Sequence, residues 1–171
     1  MDLILTYDYE GVPHDLDGEL DLVHLLDERV NVALPDGHPR AADEVVRLAD
    51  LAEESWVSGT ESGSCREMVR RACLAAGFEP KIAFSSYDYQ ILQGLVAAGV
   101  GITLLPELAL AGRHPGIQIR PLSPAAPARR VWAATLAGSY CSPATEAMIE
   151  VLRESASAFG ASGRSSRQNE T

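Results

Sequence analysis

The chain has 171 residues, 46% hydrophobic and 22% charged, which is enough for one domain or two small lobes with a sizeable core. Its 24 acidic residues outnumber 14 basic ones, giving a formal net charge of −10, and the only local basic clusters are the pairs Arg70-Arg71 and Arg129-Arg130, so a phosphate-tracking nucleic-acid face is excluded. No apolar run reaches the 18 or so residues of a transmembrane helix, the acidic start MDLILTYDYE does not read as a signal peptide, and three cysteines give neither an even disulfide framework nor a metal spacing; the expectation is a reduced, cytoplasmic protein.

In chain order, residues 2–7 (DLILTY) predict a strand, and residues 10–18 a turn-rich acidic loop. Residues 29–34 (RVNVAL) alternate with period two and carry β-branched residues, as a half-buried strand does. Pro35-Asp36-Gly37-His38-Pro39 is a turn signal, followed by a helical turn at 47–51 and a strand at 55–58 (SWVS). The small hydroxyl residues of Thr60-Glu61-Ser62-Gly63-Ser64 then predict a helix cap, with the helix running to about Ala76 and stopped by Gly77. A strand at 81–85 (KIAFS) and a helix at 87–98 follow. Gly99 and Gly101 turn the chain into an apolar strand at 102–105, which breaks at Pro106 before a short helix at 107–111. Strands at 116–120 and 130–136 and a closing helix at 143–159 complete the pattern. Residues 160–171 are polar and predict a disordered tail. The strand–helix–strand alternation through the middle implies an α/β fold with a mostly parallel sheet.

Two strand-to-helix corners stand out. Ser58, Gly59, Thr60, Glu61 and Ser62 combine backbone amides, hydroxyls and the positive end of a helix dipole, a combination suited to a small anion. Simple capping is the competing reading. Ser85-Ser86-Tyr87-Asp88 is a second corner, and such corners line up at the carboxyl ends of parallel strands, where ligands sit. Asp88 is best read as an N-terminal cap. Gly99-Val100-Gly101 runs helix to strand, the reverse of a dinucleotide fingerprint, so its glycines serve the turn. His14, His24, His38 and His114 are scattered, which argues against a metal site. Asp15, Asp17, Glu19 and Asp21 lack the glycine and terminal glutamate of a calcium loop and read as a solvated acidic stretch. No nucleophile motif occurs, so no catalytic residue and no cofactor is assigned, and the chain does not read as an enzyme.

LVAAGVGITLLPELAL at 95–110, ALPDGHPR at 33–40, AGFEP at 76–80 and RVWAATL at 130–136 follow one another in an order that resembles the effector-binding domain of LysR-type transcriptional regulators. The resemblance covers residues 2 to about 158. It implies a type 2 periplasmic-binding-protein-like fold with one complete Rossmann-like lobe and part of a second. Residues 1–25 and 121–160 would be first-lobe segments, residues 26–120 the second lobe with its hinges, and 161–171 the tail. It also implies an N-terminally truncated chain, since the family's helix-turn-helix and half of its first lobe are expected before Met1. The resemblance implies a small, anionic effector held between the lobes by Thr6, Tyr7, the 58–62 corner, Ser86, Tyr87 and the 99–101 turn. Further implications are a homo-oligomer in the full-length protein, DNA contact through the helix-turn-helix only, and no membrane partner. Two alternatives stay open. One is a transport solute-binding protein of the same fold. The other is a redox sensor using Cys65 and Cys73, although eight residues on a helix span about 12 Å and a disulfide needs Cα atoms within about 7 Å.

Overall fold

The computed structural model describes residues 3–12, 18–61, 63–126 and 128–168. Its strands are Ile4–Tyr9 (β1), Leu20–Glu28 (β2), Val30–Pro35 (β3), Val46–Arg47 (β4), Ser55–Ser58 (β5), Lys81–Ser85 (β6), Thr103–Pro106 (β7), Ile117–Arg120 (β8), Leu122–Ser123 (β9) and Arg129–Leu136 (β10). The α-helices are Ser64–Ala75 (α1), Tyr89–Ala97 (α2) and Pro143–Gln168 (α3), with 3-10 turns at Leu48–Leu51 and Glu107–Leu110. The chain divides into two units, residues 1–28 with 129–171 and residues 29–128. The crossings lie three and eight residues beyond those read from the sequence: β2 continues to Glu28, where it pairs with Arg129 of β10.

The first unit is a three-stranded antiparallel sheet, β1-β10-β2. β2 was not foreseen. Its Asp21, His24, Asp27 and Glu28 give it little intrinsic strand preference, but eight register partners along β10 hold it extended. A buried ion pair closes the end of this sheet: Arg129 Nε donates to Glu28 Oε1 at 2.6 Å, with both side chains nearly inaccessible to solvent. Arg130 and the Trp132 indole N–H both donate to Asp8. α3 packs on β2 and runs on to Gln168, through eight residues expected to be disordered. Extending a helix that is already nucleated adds a hydrogen bond for each residue fixed, and residues 161–168 contain no proline to stop it. Residues 169–171 lie outside the described residues.

In the second unit β7 and β8 flank β3, both antiparallel to it, and β5 pairs with β6 in parallel. A parallel bridge joins the two groups: Val57 N–H donates to Ile102 O and Ile102 N–H to Ser55 O, each at 2.8 Å. The resulting order is β6-β5-β7-β3-β8. The expected mostly parallel sheet is therefore corrected. β5, β6, β7 and β8 run one way, while β3 enters directly after β2 and runs the other, making both of its pairings antiparallel; β4 and β9 form a separate parallel pair. α2 covers one face with Leu92 and Val96 against Val57, Ala33, Leu105 and Ile117. Alternation along β5 turns Trp56 and Ser58 to the opposite face, where α1 buries Met68, Val69 and Cys73.

Both helices stop where their glycines predict. Gly77 and Gly99 take positive φ angles of 93° and 73°. The amides of Phe78 and Val100 then reach back to the carbonyls of Cys73 and Leu95, six-residue closures that require a left-handed residue. On α1, Glu67 accepts hydrogen bonds from Arg70 and Arg71, which lower its carboxyl from its ordinary 4.5 to about 2. A carboxyl depressed in the folded state stabilises it above the unfolded value, and that contribution is lost as pH falls from about 4.5 toward about 2. Acid titrations of stability should therefore show the wild type losing its advantage over Glu67→Gln in this window. Parallel curves would contradict the assignment.

Candidate functional site

β5 and β6 end side by side. Ser58 pairs with Ser85, and the Ser86 amide donates to the Ser58 carbonyl at 3.0 Å, so the two strand-to-helix corners form one continuous edge. β7 runs parallel to β5 and ends at Pro106, against Val30 at the start of β3. The carboxyl ends of the parallel strands thus share an edge with the start of β3, the arrangement in which α/β sheets take ligands.

The side chains at this edge are set by what α1 lacks. Its N-cap is Gly63, and no side chain caps it. The hydroxyl-rich approach to α1 was expected to supply that cap. It does not, because the Thr60 carbonyl accepts the Gly63 amide in a tight turn that places the glycine at the cap. Among the described residues, Ser58 Oγ and Thr60 Oγ1 are buried with no hydrogen-bond partner. A buried hydroxyl left without a partner costs about 1–3 kcal/mol. Elsewhere in the second unit, Trp56 Nε1 and Thr103 Oγ1 are buried likewise, but within the strands rather than at this edge. Gly59 is buried under the helix start, and a Cβ there would lie 3.1 Å from that of Cys65. Arg66, from the first turn of α1, crosses to β6 and donates from Nη1 to Ser85 Oγ at 3.2 Å. The neighbouring recess lined by Arg66, Arg70, Glu79, Pro80 and Ile82 holds only about 50 Å³, far below the several hundred of an organic-ligand pocket.

The structure brings together Ser58, Gly59, Thr60, Glu61, Ser86 and Tyr87. Ser62 lies outside the described residues. At the second corner, Asp88 caps α2 by accepting from the Gln90 amide at 2.7 Å, Ser86 Oγ accepts the Asp88 amide, and Tyr87 is 82% exposed. Gly99, Val100 and Gly101 are not brought to this edge. The Ile102–Ser55 hydrogen bond fixes them at the opposite, amino-terminal end of β5. Thr6 and Tyr7 belong to the first unit, where the Tyr7 ring lies 4.9 Å below the Arg129 guanidinium and packs edge-on to Tyr9. Ser85 belongs to the second corner, but nothing in the sequence points to Arg66 as its partner. The available signal was a cation in the first turn of a helix, where the dipole disfavours it unless something holds it.

The sequence matches the LysR substrate binding domain family over residues 1–157. The chain belongs to that family. Among curated relatives, the transcriptional dual regulator GltC of Bacillus subtilis is 35% identical over 96 residues, 56% of this chain and 32% of GltC. The DNA-binding transcriptional dual regulator OxyR of Escherichia coli is 34% identical over 134 residues, 77% of this chain and 44% of OxyR. The chain thus spans less than half the length of these relatives. The solved structure of HinK, a LysR family transcriptional regulator from Pseudomonas aeruginosa, superposes with a TM-score of 0.76 at 24% identity, over 90% of this chain and 53% of HinK. The fold is accordingly that of LysR effector domains, a periplasmic-binding-protein-like fold.

In this LysR domain Cys65 and Cys73 are buried thiols, not a disulfide, eight positions apart on the intact helix α1. Burial pushes the Cys73 thiol up to about 12, so it stays protonated near neutral pH and lacks the thiolate that attacks an oxidant. Among the described residues no three His, Cys, Asp or Glu side chains cluster as metal ligands, and no helix is long and apolar enough to cross a membrane.

Proposed function

We infer that this chain is the effector-sensing part of a cytoplasmic LysR-type transcriptional regulator, and that a small molecule seats on the paired corners at Ser58–Glu61 and Ser86-Tyr87. One observation carries the reading: two buried hydroxyls, Ser58 Oγ and Thr60 Oγ1, lie without protein partners at the carboxyl ends of adjacent parallel strands. Bound there, an effector shifts the population of domain conformations in proportion to its differential affinity for them. In the full-length regulator, DNA contact falls to a helix-turn-helix and the effector domains assemble as homo-oligomers. The acidic balance of this chain supports that division of labour.

The test pairs melting with affinity. A thermal-shift panel of small carboxylates and neutral analogues supplies the ligand, and Thr60→Ala is then compared with the wild type. Because the Thr60 hydroxyl has no protein partner, melting should stay level or rise slightly. Affinity should fall by about 1.5–3 kcal/mol if the hydroxyl bonds a charged ligand group. A stability loss of about 1 kcal/mol with unchanged affinity would return Thr60 to a capping role.

A further inference from the structure

We propose that Arg66 selects the ligand of this corner as an oxyanion, and that Glu61 is the internal carboxylate the ligand displaces; this rests on the effector-corner reading above. Five arginines of this protein sit directly against a carboxylate. Arg70 and Arg71 hold Glu67 at 3.0 and 2.6 Å, Arg130 holds Asp8 at 2.6 Å, Arg47 holds Asp50 at 2.7 Å and Arg129 holds Glu28 at 2.5 Å. Arg66 differs. Its one carboxylate within 4 Å among the described residues is Glu61, with Oε1 3.8 Å from Nη2, beyond a good hydrogen bond, and Glu79 lines the same recess without pairing with it. Its other contact is the neutral Ser85 hydroxyl at 3.2 Å.

The position of Arg66 explains what this loose pairing is for. The side chain is only 27% exposed, so its charge is partly withdrawn from water, and it starts in the first turn of α1, where the dipole adds to the cost. Its guanidinium lies at Ser85, whose β5 partner is Ser58, with the strands about 5 Å apart. Both serines alternate onto the face away from Val57 and Phe84. A guanidinium fork with an unfilled carboxylate partner therefore stands beside two partnerless hydroxyls, Ser58 Oγ and Thr60 Oγ1. Fork and hydroxyls together match the oxygens of a carboxylate, sulfate or phosphate group. Glu61 is 89% exposed and sits on the turn between the two. Its carboxylate is free to swing away when an anion of better geometry arrives.

The experiment uses the chain itself, titrated with sodium acetate and with sodium sulfate against sodium chloride at constant ionic strength. Acetamide serves as the neutral control. The readouts are the NMR signals of the Gly59, Thr60 and Ser86 amides and of Arg66 Nε–H. We expect saturable shifts with acetate, sulfate or both, the ranking telling a carboxylate seat from a tetrahedral one. Glu61→Gln should tighten binding, by up to about fivefold for loss of an exposed competitor. Arg66→Gln should weaken it about tenfold or more, and Arg66→Lys should retain part of it. Cooperative melts of all three variants establish that they fold. Absence of saturation for both anions, or binding that survives Arg66→Gln, overturns the proposal. If acetamide moves the corner amides equally in wild type and Arg66→Gln, the corner still takes ligands and only the role of Arg66 fails. If nothing moves them, both readings fail.

Discussion

Glu28→Gln is expected to lower the unfolding free energy by about 3–5 kcal/mol, the cost of leaving a buried charge without its counter-ion. Glu28 and Arg129 are directly paired residues of β2 and β10, their side chains 0% and 7% exposed. Neither charge has water to fall back on once the other is neutralised. For a chain of this size the loss corresponds to a melting shift of about 6–20 °C. The neighbouring pair behaves differently: Arg130 is 44% exposed, so Arg130→Gln should cost far less. Replacing both members, as Glu28→Leu with Arg129→Met, should recover most of the stability, because a buried ion pair exchanged for apolar side chains of similar volume is often neutral. A melt of Glu28→Gln within 2 °C of wild type would contradict the burial argument.

Gly101→Ala should cost about 3 kcal/mol or more, at the upper end for overpacking. A Cβ at this position would lie 2.6 Å from the Ser55 carbonyl oxygen and 3.2 Å from the Trp56 carbonyl carbon, all backbone that cannot rotate aside. Relief requires β5 to move away from β7, breaking the two hydrogen bonds that unite the sheet of the second unit. Gly99→Ala is the control. A Cβ there meets nothing within 4 Å, and only the left-handed backbone is strained, at about 1–2 kcal/mol. Urea unfolding of the two variants should rank Gly101→Ala as the more damaging; the reverse order would mean that the strand contact is not what Gly101 protects.

These two glycines show what the sequence makes legible. Short-range signals carried through: SWVS and KIAFS form strands at the expected residues, Gly77 and Gly99 end their helices, and Asp88 caps α2. Each depends on residues within one turn or one strand. Long-range pairing did not show. β2 is a strand because β10 lies beside it more than a hundred residues later, and its acidic residues hid it. The parallel expectation failed at β3 because local alternation says nothing of direction. The corner was readable as strand followed by hydroxyl-rich turn, but its charge was not: Arg66 meets Ser85 nineteen residues away, through a register no spacing rule reveals. The grouping of Gly99–Gly101 with the corner failed for the same reason, since only the Ile102–Ser55 bond shows which end of β5 they occupy.

The central claim is that ligands of this LysR domain bind at the adjoining ends of β5 and β6. The most direct measurement is a crystal structure of the chain with the strongest binder from the small-molecule panel. The account predicts ligand density within hydrogen-bond distance of Ser58 Oγ or Thr60 Oγ1. A well-ordered ligand elsewhere in the second unit, with both hydroxyls untouched, would contradict it.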